Sequence, residues 1–133
     1  MREVRFDTDV IIPTVEALFP GPHKSRHAQL VFDTGAGMTQ LDVKLLEYAG
    51  YSAANAIGTG RVTGATGAES VEGYIIELPK LIVFGVPVEK VSVLAYDFDN
   101  FPGIDGLLGF DVIKRFHLEI DRPKGVLKIH GPA

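Results

Sequence analysis

The sequence predicts a mainly β protein carrying one or two short helices, and three features of its pattern predict it. Fifteen glycines and eight prolines cut the chain into short runs rich in Val, Ile, Leu and Phe, the pattern of strands bounded by turns. Only two stretches carry helical spacing and helix-end chemistry. Near the end, Arg122-Pro123-Lys124-Gly125 places Pro second and Gly fourth, as a type I turn prefers, so the apolar runs on either side should form a hairpin.

Taken in order, strands are expected over residues 4–6, 11–19, 28–32, 58–63, 69–78, 80–84 and 88–95, with the final hairpin over 117–121 and 126–130. The first helix is expected over 40–49. Thr39 can cap it, Leu41, Leu45 and Leu46 share one face, and Gly50 stands just beyond its end. A shorter helix over 110–116 should follow Gly109 directly. There is no internal repeat, low-complexity stretch or linker, so residues 1–133 read as a single domain.

Composition excludes several classes. The chain is 46% hydrophobic and 23% charged, too apolar for a disordered segment. Its net charge is −4, and the longest basic run, Lys24-Ser25-Arg26-His27, is too small for a nucleic-acid footprint. With no cysteine, disulfides and thiolate metal sites are impossible. The four histidines (His23, His27, His117, His130) lack metal-ligand spacing, so neither a metal nor a cofactor is expected. No apolar run is long enough to span a membrane. The first ten residues, MREVRFDTDV, show no apolar leader, which makes the cytoplasm the expected location.

The chemistry is concentrated in Leu30-Val31-Phe32-Asp33-Thr34-Gly35-Ala36-Gly37. An apolar strand here delivers a carboxylate into a sharp glycine turn. A carboxylate so placed needs hydrogen-bond donors, a partner charge or a proton. Taken alone, Asp33 could simply end the strand and cap the turn. Two apolar residues before Asp-Thr-Gly and a small one after it resemble the active-site signature of aspartic proteases. Further on, Ile104-Asp105-Gly106-Leu107-Leu108-Gly109-Phe110-Asp111-Val112-Ile113-Lys114-Arg115-Phe116 is similar to the second signature of that family, two apolar residues and a glycine entering a short helix. The resemblance runs from about residue 11 to 129. It is nearest to the cellular and bacterial retropepsin-like branch, including the protease domain of ubiquitin-shuttle proteins.

The resemblance implies a closed-barrel-like acid protease fold and an aspartic endopeptidase. Asp33 would be the catalytic carboxylate. Thr34 would hydrogen-bond across a two-fold axis, Gly35 would admit substrate backbone, and Ala36 would flank the acid. Thr63, Gly64, Ala65, Thr66 and Gly67 lie where the family has its flap, and Val31, Ile104 and Leu107 are candidates for the substrate pocket. Only one Asp-Thr-Gly exists; Asp7-Thr8-Asp9 lacks the glycine. Two carboxylates are needed, one to take a proton from water and one to give a proton to the carbonyl, so a homodimer acting on peptide or protein is expected. Ala36 has no hydroxyl to donate to the acid, which predicts activity at mildly acidic to neutral pH. Retroviral members carry an ion pair where this chain has Gly37 and Phe110, so its dimer contact must rest on something else. Asp105 could bias a pocket toward basic side chains, but an Asp before Gly more often organises a turn. The same holds for Asp97 and Asp99, and for Asp111 at a helix start.

Two other readings are open. Asp33-Thr34-Gly35-Ala36-Gly37-Met38-Thr39 also resembles the phosphate loop of actin-like and Hsp70-like ATPases. Those proteins need two large lobes, and in them the segment after the glycines returns as a strand, whereas residues 40–49 read as helix. The same acid protease fold could also serve as a dimeric binding or scaffold module without turnover.

Overall fold

The computed structural model describes residues 2–10, 12–63 and 70–132. Its strands are β1 (Arg2–Arg5), β2 (Thr14–Phe19), β3 (Arg26–Phe32), β4 (Gln40–Asp42), β5 (Gly58–Thr63), β6 (Ser70–Val83), β7 (Val86–Tyr96), β8 (Gly106–Leu108), β9 (Phe116–Asp121) and β10 (Val126–Pro132). The helices are α1 (Val43–Ala49) and α2 (Phe110–Ile113), with a 3-10 turn at Ala53–Asn55. Six strands follow one another in the order β2-β3-β8-β4-β7-β6, and β6 pairs back to β2 through Ala17–Val83 and Leu18–Ile82. The result is a closed six-strand barrel, with β5 attached to the outer edge of β6. A separate three-stranded sheet, β1-β10-β9, gathers the two ends of the described chain.

Alternation builds the core. Along β3 the side chains of Ala28, Leu30 and Phe32 are buried, while Gln29 and Val31 are half-buried on the other face. β2 does the same with Val15, Ala17 and Phe19. Leu41, Leu46, Leu78, Leu81 and Leu108 are among the other fully buried side chains of the interior. Each such side chain contributes roughly 1.5–3 kcal/mol relative to exposure.

Several expected boundaries differ, most by two or three residues at an end, and three of the differences are instructive. The helix over 40–49 begins at Val43, because Gln40–Asp42 form β4, parallel to β7 and antiparallel to β8. Asp42, and not Thr39, is the cap: its carboxylate accepts the Lys44 amide at 3.1 Å. Gly50 ends α1 in the left-handed region, at φ 109°. The strands expected over 69–78 and 80–84 are one, β6, which runs through Pro79 without a break. Pro79 donates nothing, and pairing with β7 resumes on both sides, Leu78 to Val91 and Lys80 to Glu89. Helix α2 is shorter than expected and gives way to β9 at Phe116. The predicted turn is present, with the Gly125 amide donating to the Arg122 carbonyl at 3.2 Å. Residues 64–69, which hold most of the expected flap, lie outside the described residues; Thr63 and Ser70 pair at their edge.

Candidate active site

β8 threads between β3 and β4, the two strands that residues 33–39 connect. It is parallel to β3, with Leu30, Val31 and Phe32 opposite Gly106, Leu107 and Leu108. The Asp33 loop therefore leaves the sheet next to the end of β8 and is laced to it by backbone. The Asp33 amide donates to the Leu108 carbonyl at 3.0 Å, and the Phe110 amide donates to the Ala36 carbonyl at 2.7 Å. On the other side, the Phe32 amide donates to the Pro13 carbonyl at 3.0 Å.

Within the loop, the Gly35 amide donates to Asp33 Oδ1 at 2.9 Å, and the Ala36 amide donates to the Asp33 carbonyl at 3.3 Å. Asp33 is half-buried, Ala36 half-buried, and Thr34 and Gly35 are exposed at the tip. Among the described residues, none donates a hydrogen bond to Asp33 Oδ2. Such a carboxylate is fixed through one oxygen and offers the other.

Behind the loop lies a lock that the sequence did not announce. Thr39 is completely buried. Its hydroxyl accepts the Gly109 amide at 3.0 Å and donates to Asp111 Oδ1 at 2.8 Å, which also accepts the Val112 amide at 3.0 Å. Gly109 must come this close: a Cβ there would fall 2.7 Å from the Met38 carbonyl carbon and 2.8 Å from the Thr39 amide nitrogen. The Thr39 expected to cap a helix instead ties the end of the loop to the second motif. Cap chemistry and a buried hydroxyl call for the same residue type, so only the position of β4 distinguishes them.

The remaining candidates separate clearly. Val31 and Leu107 are direct register partners, both half-buried. Ile104 is not beside them; its amide donates to the Phe101 carbonyl at 3.1 Å, in the turn before β8 and at the opposite end from Asp33. Asp105 is a strand bridge. Its Oδ2 accepts the Gln29 amide at 2.8 Å, while its own amide donates to the Gln29 carbonyl and its carbonyl accepts the Asp42 amide. Asp97 accepts the Asp99 amide at 2.8 Å, and both carboxylates meet Lys44 on α1. The hydrogen bond to Asp99 holds the Lys44 ammonium above its usual range. Burial does the same for the Tyr51 and Tyr74 hydroxyls. His27 pairs with Glu16 at 2.7 Å, and His117 lies against the His130 ring. Among the described residues, no group of three His, Asp or Glu side chains could hold a metal ion, and no helix is long and apolar enough to cross a membrane.

The ATPase resemblance fails on the fold. One argument used against it fails too, since the residues after the glycines do return briefly as a strand, β4. The closed barrel decides the matter instead.

No curated protein sequence matches the chain. Among solved structures, the fold is similar to the crystal structure of a retropepsin-like aspartic protease from Rickettsia conorii, with a TM-score of 0.70 and 19% sequence identity over 96% of this chain and 87% of that one. At that identity the likeness establishes a retropepsin-like fold. The sequence itself carries the relationship further: residues 19–112, more than half of the chain, with the first motif and the second as far as Val112, match the aspartyl protease family, to which this chain belongs.

Proposed function

We propose that the chain is an aspartic endopeptidase whose reaction centre is formed by Asp33 from each of two identical protomers. The observation that carries this reading is the state of Asp33. It is held at the end of β3 by its own loop, through Gly35, with its second oxygen unengaged by any described residue. Each other aspartate in the two motifs is engaged in structure: Asp105 with Gln29, and Asp111 with Thr39 and Val112.

One carboxylate cannot serve as base and acid in the same step. Two brought together by a two-fold axis share a single proton, since both cannot ionise at close range. The ionised member takes a proton from water as it attacks the peptide carbonyl. The protonated member gives its proton to the carbonyl oxygen, forming a tetrahedral diol. Collapse of the diol then breaks the C–N bond, with a proton passing to the departing amine. In this reading Thr34 fixes the two loops across the axis and Gly35 leaves room for substrate backbone. Val31 and Leu107 form an apolar wall, and the hairpin of β5 and β6 supplies the lid.

The test is cleavage of a random peptide library by the wild type and by Asp33→Asn, read by mass spectrometry. The wild type should cleave, and the variant should lose about 10³-fold or more. Equal cleavage by both proteins, or cleavage by neither, would remove the enzyme reading and leave a binding module of the same fold.

A further inference from the structure

Six strands contribute one residue each to an unbroken row across the barrel wall. Thr14 stands opposite Val31, Val31 opposite Leu107, Leu107 opposite Gln40, Gln40 opposite Leu94, and Leu94 opposite Ile75. Residues opposite one another share a face of a sheet. Their chain neighbours Leu30, Leu41 and Ile76 point into the core, so the row looks the other way. It runs from the wall of Val31 and Leu107 to the hairpin of β5 and β6. That hairpin closes over the far end: Gly60 and Gly73 are a register pair, and a Cβ on them would fall 3.1 and 3.2 Å from Leu94 Cδ1. The row contains no ionisable side chain. Its two polar members differ. Thr14 Oγ1 accepts the Gln29 side-chain amide at 2.9 Å. Gln40 is only 9% exposed, yet among the described residues no group hydrogen-bonds its carboxamide. No sealed polar side-chain atom of the described residues lacks a partner, so this carboxamide reaches the surface through the small part of Gln40 that stays open.

An amide withdrawn from water without a partner is costly, and it calls for an incoming group to complete it. We propose that Gln40 is a specificity-determining residue that selects a carboxamide side chain, Asn or Gln, on the peptide substrate. This rests on the endopeptidase reading given above and adds to it the class of side chain. Position supports the assignment. Val31 precedes Asp33 by two residues, about 7 Å along the strand, and Gln40 is two strand spacings from Val31, about 10 Å across the sheet. A peptide held at Asp33 therefore lays a side chain over Gln40 and keeps the bond being cut out of its reach. Gln40 offers an N–H donor and an acceptor oxygen side by side, and a second carboxamide matches both at once. An aliphatic side chain fills the space against Leu107 and Leu94 but leaves the amide unpaired. A charged one finds no counter-charge in the row and loses its hydration. A hydroxyl, whose single oxygen must donate and accept, falls between.

The experiment measures kcat/KM on peptides in which each position around one cleaved bond carries Asn, Gln, Thr, Leu, Lys or Glu in turn, for wild type, Gln40→Leu and Asp33→Asn. In the wild type one position should favour Asn or Gln over Leu by about tenfold, as pairing of a largely buried amide implies. Gln40→Leu should invert that preference and leave the preferences at other positions in place. Its urea midpoint should rise, because the substitution removes an unpartnered amide. The same preference in Gln40→Leu as in the wild type would overturn the proposal. So would an equal loss on every peptide, which would set the amide against substrate backbone or, with a lowered urea midpoint, within the fold. Circular dichroism checks folding, and should Gln40→Leu not fold, Gln40→Met carries the same test. Failure of the endopeptidase reading looks different: wild type and Asp33→Asn then cleave alike or not at all. In that case calorimetric binding of the same peptides to Asp33→Asn, with and without Gln40→Leu, decides the matter. Tighter binding of the Asn and Gln peptides that Gln40→Leu abolishes sustains the role of Gln40, and equal binding, or none, overturns it.

Discussion

Asp33 and Asp111 stand on opposite sides of the same backbone junction, and the chain uses them in opposite ways. Asp111 spends its carboxylate on the Thr39 hydroxyl and the Val112 amide, inside a junction where Gly109 touches backbone. Asp33 receives one amide from its own loop and keeps an oxygen free of every described donor. The residue type is the same and so is the neighbourhood. The difference lies in how many donors the surrounding chain commits. A carboxylate saturated by the fold stabilises the fold, and one held but unsaturated is available for chemistry. The two also depend on each other, because the rigid junction behind Asp111 keeps the Asp33 loop in place.

That contrast can be broken from the rigid side. Gly109→Ala should have the largest effect on the fold, since its methyl would meet the backbone of Met38 and Thr39 at 2.7–2.8 Å and backbone cannot swing aside. A loss of about 3 kcal/mol in urea denaturation is expected, together with loss of cleavage as the loop shifts. An unchanged midpoint would mean the junction is softer than its distances imply. Thr39→Val comes next. It keeps the shape but strands the buried Gly109 amide and removes the donor to Asp111, at a cost of about 2 kcal/mol. A loss in Thr39→Val that is absent from a Thr39→Ser control would tie the effect to the hydroxyl.

On the chemical side, Ala36→Ser should sharpen the comparison with little change in stability. A hydroxyl beside Asp33 adds the donor that the loop lacks. Donation to the ionised carboxylate favours that form, so the acid limb of the cleavage profile should move to lower pH. A profile that stays in place, or moves toward alkali, would show that Ala36 does not face the acid.

How much of this was legible before the structure varies with the physics involved. The strands were readable because alternation is local: Ala28, Leu30 and Phe32 announce a buried face without reference to anything else. The break placed at Pro79 was an error of the same local kind. Proline removes a donor, but a neighbour on either side kept the ladder to β7 intact. The helix start was misplaced because Leu41, Leu45 and Leu46 keep helical spacing even though Leu41 belongs to a strand buried in the barrel. Asp33 and Gly109 were found through motif resemblance. The role of Thr39 was not, because its partners are about 70 residues away and nothing in the adjacent sequence marks them. Gln40 was equally invisible. Its burial between Leu94 and Leu107 depends on which strands flank β4, a property of the assembled sheet.

The passage of β8 between β3 and β4 has a consequence for biogenesis. Loops that are closed by distant partners form late, and here the strand that completes the centre comes from residues 106–108, well after the loop it supports. While the ribosome is still synthesising the middle of the chain, Asp33 has already been made but has neither Leu108 to hold its backbone nor Gly109 to brace Thr39. The nascent polypeptide therefore carries Asp33 without the strand that holds its loop, and the proposed reaction centre can form only after β8 has joined the barrel.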